Sequence, residues 1–584
     1  MLSGVIQTDR NGPEACSDEL LSQLARAEHG SLPKPILKTP WVTCYARNQP
    51  TVDLWVLTDE KGRTIVVCGF LAVSGDARPA LQQQLARDAE SSLSDLPGIW
   101  NALIHDPHEK RTSLASDRLG VAWLYVARSG TRLIFSSRFD VCARAAPART
   151  LNMDASLATL ELGYPPANQT CLEQVQLLPP GAVCKIDEAG YQAPEREAIR
   201  YGSEFAGLEI EEKMEALDRA YDQALAAWCP EPDKRYLLSL SGGYDSRAVL
   251  GAMLRKNRRV HCASFGRIRT PDCVKARRLA ESLGLEHSVF RIPDPSWDDL
   301  SRTFSTSGGI GGTPFVQGWS EPWLKFVQSR NDNLVIGFLG GVLTGSQAGR
   351  SKEQAWLEYW DQWSFDGGFV DSPLMREEAR AEIRPAIHRE TMRLPNAQVA
   401  FEYQNILHVN LYTRQRRCIG IQPYVIGRYV RPITFLYHPA VLSFWSNVAF
   451  EDVTKQSLYL AHSRSRFPQI FAAPAKPPFS KRLAGAAINA LAGHSPASVR
   501  KFLKSDSYDQ TALWCRFRAP VTRLIDQHWD FVNSVFYGDR LLAELKAFPK
   551  SPQLTTMHLS RLVGLLILLG AGREERLEAA RTAG

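Results

Sequence analysis

The amino-acid sequence predicts a two-domain α/β protein. Residues 40–187 alternate short β-rich runs with turns, whereas the chain from residues 211–228 onward has a helix-rich pattern. Between these parts, the apolar run 236–240 leads through two glycines into a predicted helix. A chain of 584 residues also exceeds the size of one hydrophobic core. We place the domains at residues 1–200 and 201–584, because a polar stretch precedes this boundary.

The first domain is predicted from five runs rich in β-branched and aromatic residues. Polar turns separate them, including Asp59–Gly62 and Ser129–Gly130. The predicted strands are 41–45, 54–57, 64–68, 121–125 and 132–135.

Composition indicates a cytoplasmic enzyme. The formal net charge of +7 is spread over the chain, and without a nucleic-acid-binding motif it gives no reason to expect nucleic acid as a partner. Eleven cysteines form no CxxC pair, which argues against zinc sites and a disulfide framework. The N-terminal residues 1–18 have no apolar signal core. The longest apolar run, 562–569, is too short for a bilayer, and we expect it to be a buried helix.

The segment SGGYDS at positions 241–246 is the most informative motif. Gly242 and Gly243 permit a sharp turn and a close backbone approach to a ligand. Backbone N–H groups and the start of the next helix would then converge on one point, which favours a phosphate. Ser241 and Ser246 can add hydroxyl donors, and Asp245 suggests a bridging Mg²⁺.

This loop differs from the commoner nucleotide-binding loops, since it contains neither GxxxxGK[ST] nor GxGxxG. It resembles the SGGxDS pyrophosphate loop of the ATP-pyrophosphatase superfamily. Members of that superfamily cleave ATP between the α and β phosphates and adenylate a substrate.

Further motifs resemble the asparagine synthetase B-type family. The resemblance covers about residues 40–290 well and continues more loosely to about 475. The matching segments are Gly98–Trp100 with Asp106, Ser116–Gly120, Phe135–Ser137, Leu151–Asp154, Gly163–Pro166, Thr170, Leu177–Gly181, Ala263–Gly266, Asp272, Ala276, Ala280, Leu283–Gly284 and His287.

This resemblance implies the fold and the substrates. The first domain would be an N-terminal nucleophile hydrolase-like α/β/β/α glutaminase domain, and the second a doubly wound α/β adenylating domain. ATP and Mg²⁺ would be required. A small-molecule or peptide carboxylate and an amine would be joined as an amide, with AMP and pyrophosphate as products.

The resemblance also assigns site residues. Asp245 would hold Mg²⁺ and act in catalysis, and a late lysine, Lys476 or Lys481, would stabilise acyl transfer. The ATP-binding residues would be Leu238, Ser241, Gly242, Gly243, Asp245, Ser246, Ser264, Phe265, Gly266 and Gly337.

The glutaminase half departs from the family pattern. A working domain has a cysteine nucleophile at position two, and this chain has Leu2. The family's Asn-Gly-Glu segment for glutamine is replaced by Cys68-Gly69-Phe70. Cys16 and Cys44 could serve only after removal of a propeptide. We therefore expect glutaminase activity to be lost.

The adenylating half has its own departure. Gly341 stands where the family has an acidic Mg²⁺ ligand, within the segment Val335–Ser346. Asp272 is a candidate to replace that acid.

Two further segments allow two interpretations each. The basic run Arg414–Arg417 faces either a phosphate or an anionic substrate, or it is a solvated helix face. The glycine-rich stretch Ser307–Gly312 is either a loop where substrate enters or a plain surface loop.

The function predicted best is an ATP-dependent amide-forming ligase with a degenerate glutaminase domain. One alternative is a cyclase of the lasso-peptide or β-lactam kind, since those relatives also have non-functional glutaminase domains. The other is a non-catalytic pseudoenzyme, motivated by Leu2 and Gly341. The sequence predicts no nucleic-acid or membrane partner, and the oligomeric state stays open.

Overall fold

Three β-sheets and their flanking helices form this computed structural model. It describes residues 2–8, 34–46, 49–146, 150–187, 190–192, 199–266, 270–293, 295–309, 321–349, 355–364, 368–396, 398–472 and 510–570. The strands are β1 (Leu2–Gln7), β2 (Leu37–Lys38), β3 (Val42–Ala46), β4 (Asp53–Thr58), β5 (Thr64–Leu71), β6 (Gly98–Asp106), β7 (Arg111–Ser116), β8 (Tyr125–Ser129), β9 (Arg132–Ser136), β10 (Val175–Leu177), β11 (Val183–Asp187), β12 (Gly190–Gln192), β13 (Arg235–Ser239), β14 (Arg259–Phe265), β15 (His287–Phe290), β16 (Asn333–Val335) and β17 (Arg431–Ile433).

Helices accompany the sheets throughout and dominate the second half. The α-helices are α1 (Arg78–Arg87), α2 (Ala89–Asp95), α3 (Phe139–Ala145), α4 (Met153–Leu162), α5 (Ile210–Trp228), α6 (Tyr244–Arg255), α7 (Pro271–Ser282), α8 (Trp297–Ser307), α9 (Glu321–Gln328), α10 (Gly340–Leu343), α11 (Trp356–Ser364), α12 (Glu377–Thr391), α13 (Glu402–Asn410), α14 (Ile421–Ile426), α15 (Pro439–Trp445), α16 (Phe450–Val453), α17 (Ser457–Arg466), α18 (Pro468–Phe471), α19 (Gln510–Arg516), α20 (Arg518–Gln527), α21 (Trp529–Val535), α22 (Gly538–Ala547) and α23 (Thr556–Gly570). A π-helix covers Leu411–Ile419, and 3₁₀ turns cover Phe435–Tyr437 and Thr454–Gln456.

The strands β1 to β12 and their helices, called the first half below, form an α/β/β/α sandwich, which confirms the predicted fold class. Two six-stranded sheets have the strand orders β10-β8-β9-β1-β3-β2 and β12-β11-β7-β6-β5-β4. Their facing sides bury residues such as Leu2, Val66 and Leu114. Helices α1 and α2 cover the second sheet through Leu85 and Leu93, while α3 packs on strands β8 and β9 of the first.

The described chain from helix α5 onward is called the second half below. It contains a five-stranded sheet in which every pair of neighbours is parallel. Its order is β15-β14-β13-β16-β17. The chain therefore adds β14 and β15 on one side of β13 and later adds β16 and β17 on the other side. The carboxyl ends of β13 and β16 therefore flank a switch point, where ligands bind in doubly wound sheets. The helix predicted over 211–228 is present as α5.

One sequence expectation about local structure was wrong, and one strand was not predicted. The predicted strand 121–125 does not form over its first four residues, because the carboxylate of Asp117 accepts hydrogen bonds from the N–H groups of Val121 (3.0 Å) and Ala122 (2.8 Å) and holds a turn. Strand β1 was missed because its apolar and small residues show no simple alternation; both of its faces are buried.

The apolar run 562–569 is confirmed as part of a buried C-terminal helix, α23, which packs on α4 and α8. Among the residues that the structure describes, none of the helices combines the length and apolar character that crossing a bilayer requires.

Candidate active site

The phosphate-loop candidate joins β13 to α6 at the carboxyl edge of the parallel sheet. Strand β13 is buried from Tyr236 to Leu238, which anchors the loop in the core. Helix α6 begins at Tyr244, with Gly243 as its N-cap. A Cβ atom on Gly242 would lie 2.7 Å from Oδ1 of Asp272, so a larger residue here would displace side chains of helix α7.

The two serines of the loop hold its shape. The Ser246 hydroxyl accepts a hydrogen bond from the Ser241 N–H (3.1 Å) and lies 3.1 Å from Ser241 Oγ. Ser241 Oγ in turn accepts from the N–H of Gly243 (3.1 Å). In this state the hydroxyls and two loop N–H groups are paired with one another. A bound phosphate would exchange with these internal contacts.

Asp245 lies against a second glycine-rich segment, which follows β16. A Cβ atom would lie 3.0 Å from Asp245 Cβ if built on Gly337, and 2.6 Å if built on Gly340. The N–H of Gly341 donates a hydrogen bond to the Asp245 carboxylate. Burial raises the pKa of Asp245 to about 6, and this hydrogen bond opposes the shift. The structure thus brings together the two segments to which the resemblance assigned ligands of ATP and Mg²⁺.

The Asp245 carboxylate suits one ligand position of Mg²⁺. Within the described ranges, no three His, Cys, Asp or Glu side chains gather closely enough to form a metal site by themselves. Mg²⁺ commonly binds through one or two carboxylates and takes its other ligands from water and substrate phosphates. A desolvated carboxylate with a raised pKa is also stabilised by a neighbouring cation. These residues therefore fit a Mg²⁺ ion delivered with a nucleotide.

Ser264 and Phe265, which the resemblance assigns to ATP binding, end the neighbouring strand β14, and Gly266 follows it. Ser264 is buried and donates from Oγ to the carbonyl oxygen of Leu240 (2.7 Å). Its Oγ also lies 2.9 Å from Nε2 of His287 on β15. In the sequence His287 is only a motif match, and its contact with Ser264 arises from the pairing of β14 with β15.

The other predicted nucleotide contacts differ in exposure. Phe265 is half-buried and packs on Trp323 with ring centroids 5.4 Å apart. Gly266 has φ +113°, a conformation that favours glycine. Leu238 is completely buried in the sheet, so its side chain lines no open surface. Their roles in nucleotide binding stay predictions.

Lys476 and Lys481 lie outside the described residues. The described chain before them ends beside the phosphate loop, where Phe471 stacks on Tyr244 with ring centroids 5.7 Å apart.

The basic run Arg414–Arg417 is not a solvent-facing helix surface. Arg416 and Arg417 are each 1% exposed and lie on the π-helix, a conformation often associated with function. Arg416 donates to the carbonyl oxygen of Leu178 (2.6 Å) and to Oδ1 of Asn168 (2.6 Å). These acceptors belong to the first half of the chain, so Arg416 joins the two halves.

The predicted nucleophile position is closed in this structure. Leu2 is completely buried, and its carbonyl oxygen accepts a hydrogen bond from the N–H of Ser137 (3.0 Å). Cys44 is completely buried in β3, and burial raises the pKa of its thiol far above the usual range, so a reactive thiolate is disfavoured. Cys16 lies outside the described residues.

Phe70 occupies the segment where the family binds glutamine. It is 1% exposed, and a Cβ atom on Gly427 would lie 2.5 Å from its ring atom Cε2. Next to it, Trp123 and Tyr424 stack at 4.6 Å. The cavity left between the two halves here has a volume of about 40 Å³, which is room for a few water molecules.

The glycine-rich stretch Ser307–Gly312 is described only as far as Gly309. Ser307 is fully buried, and a Cβ atom on Gly309 would lie 2.9 Å from the carbonyl oxygen of Gly564 on α23. The described part therefore packs against the C-terminal helix and forms no open loop.

Comparison with known proteins identifies two domains in this chain. A family model described as glutamine amidotransferase domain matches residues 78–197, and one described as asparagine synthase matches residues 216–326. No curated protein matches the chain significantly.

Solved structures give weaker similarities. A glutamine phosphoribosylpyrophosphate amidotransferase from B. subtilis in complex with ADP and GMP is 14% identical, with 50% of this chain and 84% of that chain covered at a TM-score of 0.20. The allosteric regulatory enzyme of purine biosynthesis is also 14% identical, with 45% and 58% covered at a TM-score of 0.20. Scores this low carry no weight for this chain, and the fold rests on the layers described above.

The two matched domains follow one another in the order expected from the motifs. The second contains the SGGYDS loop, and the first contains most of the sandwich. An asparagine synthase domain supports an ATP-dependent amide ligase. The two family models therefore match the domain architecture of the asparagine synthetase-like family.

Proposed function

We propose that this protein activates a carboxylate with ATP, releases pyrophosphate, and transfers the acyl group to an amine that comes from solution. The contact of Asp245 with Gly337, Gly340 and Gly341 carries this proposal. It joins the phosphate loop to the glycine segment at the switch point of the parallel sheet, where a nucleotide would bind.

The charges around the loop support adenylation. The positive end of helix α6 and the loop N–H groups would bind the phosphates. Asp245 would hold Mg²⁺, which would neutralise part of the negative charge that develops on the phosphates. A substrate carboxylate oxygen attacks the α-phosphorus as the bond to the β-phosphate oxygen breaks, and pyrophosphate leaves with the electron pair. The amine then attacks the acyl carbon and AMP departs.

The closed first half supports an external source of nitrogen. Leu2 stands where the family has its nucleophile, Phe70 is buried in the segment where the family binds glutamine, and the cavity beside Phe70 has a volume of about 40 Å³. At these described positions, glutamine would find neither a nucleophile nor a pocket of its own size. The amine of the substrate pair would therefore reach the adenylating half directly.

A pyrophosphate-exchange assay tests this function. The full-length protein would be incubated with ATP, Mg²⁺ and labelled pyrophosphate, together with a panel of amino-acid and peptide carboxylates. The panel includes peptides with an internal amine, because they would reveal a cyclase. We expect carboxylate-dependent exchange, and amide formation when an amine is added. Absence of both ATP binding and exchange would favour the non-catalytic alternative.

A further inference from the structure

Helix α7 packs over the phosphate loop and places a lysine there. A Cβ atom on Gly242 would lie 2.8 Å from Cδ and 3.4 Å from Cβ of Lys275. The aliphatic stem of Lys275 therefore lies directly across this glycine. Its ammonium group is two bonds beyond Cδ, so it stays close to the loop.

Lys275 also reaches solvent, unlike the neighbouring arginine. Lys275 is half-buried on the same helix as the exposed Asp272. Arg247 on α6 is only 2% exposed. The charge of Arg247 is thus held inside the protein. Lys275 combines contact with the loop and access to a ligand.

We propose that Lys275 binds the β- and γ-phosphate oxygens of ATP and stabilises pyrophosphate as it leaves. This inference rests on the proposed adenylation function. In loops of the type GxxxxGK[ST], a lysine within the loop reaches the phosphates, whereas SGGYDS contains none. Lys275 supplies that charge from the neighbouring helix.

The role of Lys275 requires no proton transfer. The bond between the α-phosphorus and the bridging oxygen breaks, and its electron pair remains on pyrophosphate. The ammonium group of Lys275 neutralises part of this new charge and stays protonated. Such charge-assisted hydrogen bonds are about twice as strong as neutral ones.

Calorimetry on the full-length protein tests the proposal with three ligands: Mg²⁺·ATP, Mg²⁺·pyrophosphate and AMP. The variants are Lys275→Met, which removes the charge, and Lys275→Arg, which keeps it. Arg278→Met is the matched control, because Arg278 lies on the same helix and is exposed. We expect Lys275→Met to weaken ATP and pyrophosphate binding roughly tenfold and to leave AMP binding within about twofold of the wild type. Lys275→Arg should recover most of the lost affinity for ATP and pyrophosphate.

Each outcome separates this inference from the proposed function. If the wild type binds ATP and Lys275→Met binds ATP and pyrophosphate equally well, the role of Lys275 is wrong and the nucleotide site stands. If Lys275→Met weakened AMP binding as much as ATP binding, the substitution would act on the structure of the site. That result would also overturn the proposed role of Lys275. A wild type that binds neither ATP nor pyrophosphate would overturn both proposals.

Discussion

Gly340 packs directly against the side chain of Asp245, and a Cβ atom at position 340 would lie 2.6 Å from Cβ and 2.7 Å from Oδ1 of Asp245. No side chain can therefore be added at Gly340 without displacing the carboxylate. The next residue, Gly341, is different: a Cβ atom there would lie 3.6 Å from Asp245 Oδ2 and 3.0 Å from Ser346 Oγ. An acid introduced at position 341 would therefore lie near Asp245 without displacing its carboxylate.

We predict that Gly341→Asp strengthens Mg²⁺-dependent ATP binding roughly threefold to tenfold, because an added carboxylate increases the charge available to the metal. The φ angle of Gly341 is not positive, so aspartate can adopt this backbone if Ser346 shifts slightly. Calorimetric titration of Mg²⁺·ATP measures the effect, and Gly341→Asn is the uncharged control. Binding that the aspartate leaves unchanged or weakens would show that another group completes the metal site.

We predict that Asp245→Asn lowers the rate of pyrophosphate exchange by about 10²–10³, since one electrostatic partner of the transition state is lost. The substitution keeps the shape that fits against Gly337 and Gly340. Circular dichroism and the melting temperature should therefore stay close to those of the wild type. A variant that retains most of the exchange activity would show that the phosphate loop is assigned wrongly.

The closed first half leads us to predict no hydrolysis of glutamine. Incubation with glutamine, with and without ATP, should release no glutamate above a protein-free blank. The reason is the combination of buried Leu2 and Phe70 where a nucleophile and a pocket are needed. Steady glutamate release that Cys16→Ala or Cys44→Ala abolishes would overturn this prediction.

Arg416 gives a prediction about the junction of the two halves. Arg416→Met should lower the free energy of unfolding by about 3 kcal/mol, because it removes the donor from the buried carbonyl oxygen of Leu178 and from the partly buried Oδ1 of Asn168. Urea denaturation followed by tryptophan fluorescence is suitable, since Trp123 Nε1 donates to the carbonyl oxygen of Arg416 (3.1 Å). Arg414→Met, on the same π-helix but less buried, should cost less. Equal effects would argue against a special role of Arg416.

The buried His408 predicts a dependence of stability on pH. Burial lowers the pKa of His408 to about 4, below its usual value of 6.5. Between these values the unfolded chain binds a proton that the folded protein does not, so stability falls as the pH is lowered from 6.5 to 4. The slope from this residue would be at most about 1.4 kcal/mol per pH unit.

Urea denaturation at several pH values measures this slope. His408→Gln should flatten it, whereas His108→Gln at an exposed position should leave it unchanged. An unchanged slope in His408→Gln would assign the acid sensitivity to other groups.

Local sequence was sufficient for several features. The runs 54–57, 64–68 and 132–135 form strands, and 211–228 forms a helix, because their apolar patterns match the period of each structure. The SGGYDS loop joins a strand to a helix as predicted, since two adjacent glycines after a buried strand and before a helical run permit few other structures. Family resemblance added the α/β/β/α arrangement.

The tertiary structure decided what depends on residues far apart in the chain. The buried Arg416 binds Asn168, which is 248 residues away in the chain. The sequence of the run Arg414–Arg417 alone could therefore not distinguish a solvated surface from an internal contact. The contact between Asp245 and Gly340, and that between Lys275 and Gly242, likewise arise only when parallel strands align their carboxyl ends. A motif determines which groups are available for chemistry, whereas the pairing of distant strands determines which of those groups meet.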